Sequence, residues 1–185
     1  MASKITPRLT HTGVYVKDVS KMVDFYTKAL GLMVADRGKQ GGTELAFMTS
    51  APDEHHQLVL VSGRAPEGVS TVNQLSFLVD GLDEVKTMFE RIKKAGVTEY
   101  RQTSHGNALS VYFPDPEGNR VEIYTHTPWH IPQPHGVPID LSKPTAEIMA
   151  ETEKHCRETP GFMPRDEWEA QQARLLAEQQ RAKTQ

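Results

Sequence analysis

The chain repeats itself, and the repeat limits its possible folds more than any other feature of the sequence. His11-Thr12-Gly13-Val14-Tyr15-Val16-Lys17-Asp18-Val19 and Gln74-Leu75-Ser76-Phe77-Leu78-Val79-Asp80-Gly81-Leu82 begin 63 residues apart (74 − 11). Each is a run of alternating apolar residues ending in an acidic turn, the pattern of a half-buried strand. A helical stretch follows each. The first, Ser20 to Leu30, has Met22, Val23, Phe25, Tyr26, Ala29 and Leu30 as its apolar residues, with Ser20 as the expected N-cap and Gly31 as the stop. The second, Asp83 to Ala95, sets Val85, Met88, Phe89 and Ile92 on one face, with Asp83 as cap and Gly96 as stop. Three strand-like runs then occur in both copies: Leu32–Asp36, Glu44–Met48 and His56–Val61, and later Val97–Arg101, Leu109–Phe113 and Arg120–Tyr124. Asp115-Pro116-Glu117-Gly118-Asn119 is a strong turn signal between the last two, and Gly38–Thr43 reads as a glycine-rich loop.

Each copy therefore reads β-α-β-β-β. One such module exposes an apolar sheet face; two can pair their sheets around a shared cavity across a pseudo-twofold axis. The expected fold is α+β, with modules at 8–62 and 72–125 paired over 8–125, and an extended arm with C-terminal helices at 126–185. In that last part, prolines 128, 132, 134, 138 and 144 favour extended chain. Thr145–Glu158 and Asp166–Lys183 read as helices, the second with a thin apolar stripe of Trp168, Leu175 and Leu176. The arm is expected to wrap the module pair or a partner subunit and to close the cavity.

Under the pseudo-symmetry, first-strand residues His11 and Gln74 correspond. So do last-strand residues His56 and Glu122, 66 apart (122 − 56). Equivalent inward positions converge on the axis, and buried imidazole and carboxylate groups are costly unless paired or bound to metal. Val121 and Ile123 belong to the opposite strand face, which turns Glu122 inward. The candidate metal ligands are His11, Gln74 and Glu122. This nitrogen and oxygen set suits Fe(II), Mn, Co, Ni or Zn and leaves coordination positions open. Tyr112, on the adjacent strand, and His105, in the loop Ser104-His105-Gly106-Asn107, are further candidates. A plainer reading stands beside each: a half-buried histidine, a hydrogen-bonded strand glutamine, an exposed strand glutamate, a core tyrosine and a surface loop histidine.

These residues resemble the vicinal oxygen chelate superfamily of glyoxalase I, bleomycin-resistance proteins, methylmalonyl-CoA epimerase and type I extradiol dioxygenases. The carriers are Thr10 to Asp18, Phe25-Tyr26, Leu30-Gly31-Leu32 and above all Tyr112 to Tyr124, within residues 8–125. The chain looks most like the one-domain extradiol dioxygenases, which hold Fe(II) with two His and one Glu. The resemblance implies ligands at His11, Gln74 and Glu122, with glutamine at a position where that group has histidine. His55-His56-Gln57-Leu58 matches the run that carries the family's acid–base histidine, implying that role for His56. Tyr112 stands where the family has its active-site tyrosine, ten residues before the Glu ligand, and His105 stands near the family's further histidine. The implied activity is catechol-type ring cleavage with a small aromatic diol and O2. A glyoxalase- or epimerase-like lyase or isomerase, or a non-catalytic small-molecule binder, is the alternative.

The net charge of −3 and pI near 6.2 give no basis for nucleic-acid or acidic-membrane binding. No run approaches the roughly 18 apolar residues of a membrane span, and the N-terminus shows no secretory signal. A single cysteine, Cys156, suits a reducing cytoplasm. A homodimer or higher homo-oligomer is expected.

Overall fold

The structure is a computed structural model that describes residues 8–67 and 70–182, with the side chains of Gln180 and Ala182 left undescribed. The N-terminal residues and Lys183 lie outside it. The first module comprises β1 (Thr12–Val16), α1 (Val19–Phe25), β2 (Met33–Gln40), β3 (Thr43–Thr49) and β4 (Leu58–Ser62). Its sheet has the order β1-β4-β3-β2, with β1 parallel to β4. The second comprises β5 (Leu75–Leu78), α2 (Leu82–Lys94), β6 (Arg101–Ser104), β7 (Ala108–Pro114) and β8 (Arg120–His126). Here β5 runs parallel to β8, and the sheet order is β10-β6-β7-β8-β5, with β10 (Val137–Pro138) supplied by the C-terminal arm. The arm continues through α3 (Thr145–Glu158) and α4 (Arg165–Ala182), and its β9 (Trp129–His130) pairs with β11 (Met163–Pro164). The architecture is thus α+β with two sheets.

Strand parity decides which side chains meet the helices. Val14, Val16, Leu58 and Leu60 on the first sheet, and Leu109, Val111, Val121 and Ile123 on the second, are buried in one core with α1 and α2 residues. Their alternating neighbours, among them Gly13, Tyr15, Tyr112 and Glu122, belong to the opposite, open face. Leu141 and Ile148 of the arm join the same core. A satellite cluster of Trp129, Ile131 and Cys156 forms within the arm, with Met149 and Phe162 packed against it.

Several local expectations are corrected. Asp18, not Ser20, caps α1 by accepting the Lys21 N–H at 2.9 Å; the Ser20 hydroxyl instead accepts from Arg37. The helix then widens into a π-helical turn over Tyr26–Leu30, and Gly31, at φ 80°, ends it. The N-cap of α2 is Gly81, while Glu84 accepts the Asp80 N–H and Asp83 is bonded by Thr145 of α3. The run at 38–43 is a hairpin rather than a loop: Gln40 pairs with Thr43 across Gly41-Gly42, whose φ values of 56° and 87° suit a two-residue turn. Strand β6 begins at Arg101, four residues later than the expected Val97, because Val97 N–H still closes the end of α2 on the Ile92 carbonyl.

The turn at Asp115–Asn119 joins the modules. Asp115 accepts from the backbone of Glu117 and Asn119, which folds the turn. The Glu117 carboxylate then accepts backbone N–H groups of Lys17 and Asp18 at 2.7–2.8 Å, and Arg64 lies 3.7 Å from it. The buried Tyr26 hydroxyl donates to Asp115 at 3.1 Å, and Arg91 of α2 donates to the carbonyls of Lys28 and Thr27.

Candidate active site

His11 sits just before β1 on the edge of the first sheet, and its Nδ1 is 3.2 Å from the Thr10 hydroxyl. Its ring packs on His56, with centroids 4.4 Å apart. His56 was expected inside a strand; it precedes β4 instead, and its ring also packs on Phe47. His56 Nδ1 lies 2.9 Å from His55 Nδ1, and His55 Nε2 is held by Asp36 at 2.8 Å. The other ring nitrogen of His56 makes no hydrogen bond among the described residues. Partial burial and then the neighbouring His11 and His55 push the His56 pKa below the ordinary imidazole range, so the ring is neutral near pH 7.

The second sheet carries the other candidates on its open face. Glu122, on β8, is buried, and its Oε2 accepts from Gln74 Nε2 at 2.8 Å and Ser76 Oγ at 2.5 Å. The Gln74 side-chain oxygen makes no hydrogen bond among the described residues and could serve as a ligand atom. Tyr112 pairs with Glu122 across β7 and β8, and its hydroxyl lies 2.8 Å from His105 Nε2. Burial and then the Glu122 carboxylate push the Tyr112 phenol up to about 12. Arg101 stacks over the Tyr112 ring at 4.8 Å. Ser110, two residues back along β7 on the same face, is fully buried, and its hydroxyl has no hydrogen-bond partner among the described residues.

A cleft of about 360 Å³ lies between the sheet edges, lined by His11, Gln57, Leu58, Gln74, Ser76 and Phe77 among others; Glu122 and His56 lie outside this lining and reach it through Gln74, Ser76 and His11. The structure thus brings His11 together with His56, and Gln74 with Glu122, Tyr112 and His105. His11 and Gln74 face one cleft; His11 and Glu122 form no ion pair. Gln57 also lines the cleft, but its Oε1 is taken by Ser50. Among the described residues no three His, Cys, Asp or Glu side chains cluster as a metal site. The candidate set does not depend on such a cluster, since its third member is an amide. An imidazole, an amide oxygen and a carboxylate, each with an atom left free, are a chemically suitable donor set for a borderline divalent ion.

Sequence reasoning missed Ser76, although it lies two residues beyond Gln74 on the same strand face. It also missed the arm residues that touch His105. The loop at 104–107 does not stand alone. Thr127 bonds the Gly106 carbonyl at 2.6 Å and Gln133 Nε2 donates to the His105 carbonyl at 2.7 Å. Two arm histidines, His126 and His130, stand apart: His130 stacks on Trp168 and His126 packs on Tyr124.

Among known proteins, biphenyl-2,3-diol 1,2-dioxygenase 2 of Rhodococcus globerulus is 27% identical over 124 residues, 64% of this chain and 62% of that protein. The chain therefore spans less than two thirds of the dioxygenase. A lactoylglutathione lyase of Neisseria meningitidis is also 27% identical, over 63% of this chain and 88% of the lyase. Two solved structures share the fold. A glyoxylase/bleomycin resistance protein/dioxygenase domain from Frankia sp. EAN1pec gives a TM-score of 0.59 at 21% identity, covering 66% of this chain and 94% of that one. The fosfomycin resistance protein FosX from Listeria monocytogenes, solved with Mn(II) and sulfate, gives 0.51 at 22% identity, covering 69% and 95%. No described helix is long and apolar enough to cross a membrane. Residues 8–123 match the family model itself, so the chain belongs to the Glyoxalase/Bleomycin resistance protein/Dioxygenase superfamily.

Proposed function

We propose that this chain is a metal-dependent enzyme that cleaves a catechol-type ring beside its hydroxyls, using O2. The observation that carries the reading is the placement of acid–base groups on both sides of the candidate ligands. His56 packs on His11 at one side, and the Tyr112–His105 pair adjoins Glu122 at the other. A catechol has two hydroxyl protons to place, and this site has a base for each.

His11, Gln74 and Glu122 would hold the divalent ion, with Fe(II) favoured and Mn, Co, Ni or Zn as alternatives. When bound, the ion supplies a template for the two vicinal oxygens and a path for electrons to O2. The residues supply the rest. Neutral His56 takes a proton from one substrate hydroxyl through its free ring nitrogen. Tyr112, kept protonated and backed by His105, stabilises negative charge on substrate oxygen. Ser76 and Gln74 orient the Glu122 carboxylate through their bonds to Oε2. Both atoms of O2 enter the product, so no external reductant is required.

One observation favours a second reading. The amide of Gln74 is a weaker electron donor than imidazole, which suits a non-redox lyase or isomerase of the glyoxalase or epimerase type. Anaerobic loading with Fe(II), followed by catechols and O2, separates the two. Oxygen uptake with a coloured ring-cleavage product supports ring cleavage; tight Zn, Ni or Co with no oxygen uptake refutes it.

A further inference from the structure

The C-terminal arm is built onto the loop that carries His105. Gly106 sits at φ +77°, and a Cβ there would meet Ile131 Cδ1 at 2.4 Å and Cγ1 at 2.6 Å, so arm and loop are in direct contact. Thr127 N–H bonds the Asn107 carbonyl at 3.1 Å, and its hydroxyl bonds the Gly106 carbonyl. Gln133 donates through Nε2 to the His105 carbonyl while its Oε1 accepts the His135 N–H at 3.0 Å. One glutamine therefore fixes both ends of a closed set. The third side of that set is the bond between His105 Nδ1 and the His135 carbonyl oxygen, at 2.6 Å.

A carbonyl oxygen can only accept, so Nδ1 of His105 carries the hydrogen. In the neutral ring Nε2 is then a bare lone pair. Nε2 is 2.8 Å from the Tyr112 hydroxyl, so the phenol donates and the imidazole accepts. The His135 ring is itself tied down: its Nε2 lies 2.9 Å from His155 Nε2 on α3. Burial, then His155 and His105, hold His135 below the usual imidazole range, which leaves it able to share one neutral N–H with His155.

We propose that the arm is a working part of the site: the His135 carbonyl, held by Gln133 and His155, fixes the tautomer of His105 so that Tyr112 passes protons outward to it. In the forward step a substrate O–H proton moves to the Tyr112 oxygen as the phenol proton moves to His105 Nε2. The products are a substrate oxyanion, a neutral tyrosine and an imidazolium whose Nδ1–H is already bonded to the His135 carbonyl. The reverse step returns the proton. His135, Gln133 and His155 are positioning residues, acting through His105. The catalytic part of this inference rests on the ring-cleavage reading; the tautomer does not.

The test is two-bond 1H–15N correlation on the full-length chain labelled with 15N-histidine, without metal or substrate, at about pH 8, where an ordinary imidazole is neutral. A His105→Gln variant assigns the His105 signals. The expected result is a protonated Nδ1 and a bare Nε2 at His105. Gln133→Ala and His155→Ala, each verified as folded by circular dichroism, are expected to shift that pattern toward a mixed tautomer. With a cleaved catechol, the same variants should lower kcat by about 10- to 100-fold with little change in KM. A protonated Nε2 in the wild-type chain overturns the proposal, because Tyr112 would then be the acceptor. An unchanged His105 pattern in both folded variants overturns the role of the arm. If the tautomer is as stated and no catechol is cleaved, the ring-cleavage reading fails alone; if catechol is cleaved and the tautomer is reversed, this inference fails alone.

Discussion

Replacing Glu117 by alanine should loosen the joint between the modules by about 3 kcal/mol. The Glu117 side chain is 5% exposed and lies 3.7 Å from the Arg64 guanidinium, which is 14% exposed. Its two oxygens accept Lys17 N–H at 2.7 and 2.8 Å, and Oε1 also accepts Asp18 N–H at 2.8 Å. Truncation strands two backbone donors, of Lys17 and Asp18; both residues are exposed and water can reach them, so each loss falls at the low end, about 1 kcal/mol. Loss of a buried ionic partner can cost about 3–5 kcal/mol, but Arg64 keeps its bonds to the Glu117 carbonyl and to Asn119 Oδ1. Water entering the vacated space returns part of the loss, which places the net near 3 rather than at the sum. With a urea m-value of about 2 kcal/mol/M, the unfolding midpoint should fall by roughly 1.5 M with m unchanged. Glu117→Gln retains the shape and one accepting oxygen, so about half that loss is expected. Circular dichroism during urea unfolding reads both. A loss below about 0.5 kcal/mol for Glu117→Ala, the level of an exposed ion pair, would refute the reasoning.

Gly106→Ala should cost about 2–4 kcal/mol, from its positive φ and the clash with Ile131, and lower thermal stability by on the order of 5–15 °C in a melting scan. Glu122→Gln and His11→Ala should each abolish stoichiometric metal binding measured by calorimetry, whereas Gln74→His should tighten it by about 10-fold. An unchanged affinity in Gln74→His would remove Gln74 from the ligand set. The Cys156 thiol is fully buried, and burial pushes its pKa up. It should therefore resist maleimide in the native chain at neutral pH and react fully in urea, as followed by mass spectrometry.

The repeat made much of the fold legible. Two modules each bury alternate strand residues under one helix, and that periodicity is local enough to read from residues such as Val14 and Val16 or Val121 and Ile123. Boundaries were less legible where a cap or turn decides them. Asp18 outcompetes Ser20 because its carboxylate reaches the Lys21 N–H, and β6 starts late because the end of α2 consumes Val97. Tyr112 and Glu122, on regular strands, and Gln74, the residue directly before β5, could be placed by parity. His56 could not, since it lies two residues before β4 and reaches His11 from irregular chain. The contacts of His105 were beyond periodic reasoning altogether. Its partner His135 is 30 residues away, in a proline-rich segment whose local sequence does not specify what it touches.

The packing of Gly106 against Ile131 also bears on how such chains can diverge. The two positions share one small volume, so they are not free to change separately. A side chain at 106 demands a smaller residue at 131 and a backbone that tolerates positive φ, whereas a shorter residue at 131 leaves glycine at 106 needed for its backbone angle and for the Cys156 Sγ that a Cβ would meet at 3.2 Å. In a relative without the arm, the steric reason for that glycine is gone. Joint substitution at these two positions would therefore mark chains in which the C-terminal segment has been kept as part of the same fold, and independent drift would mark those in which it has been lost.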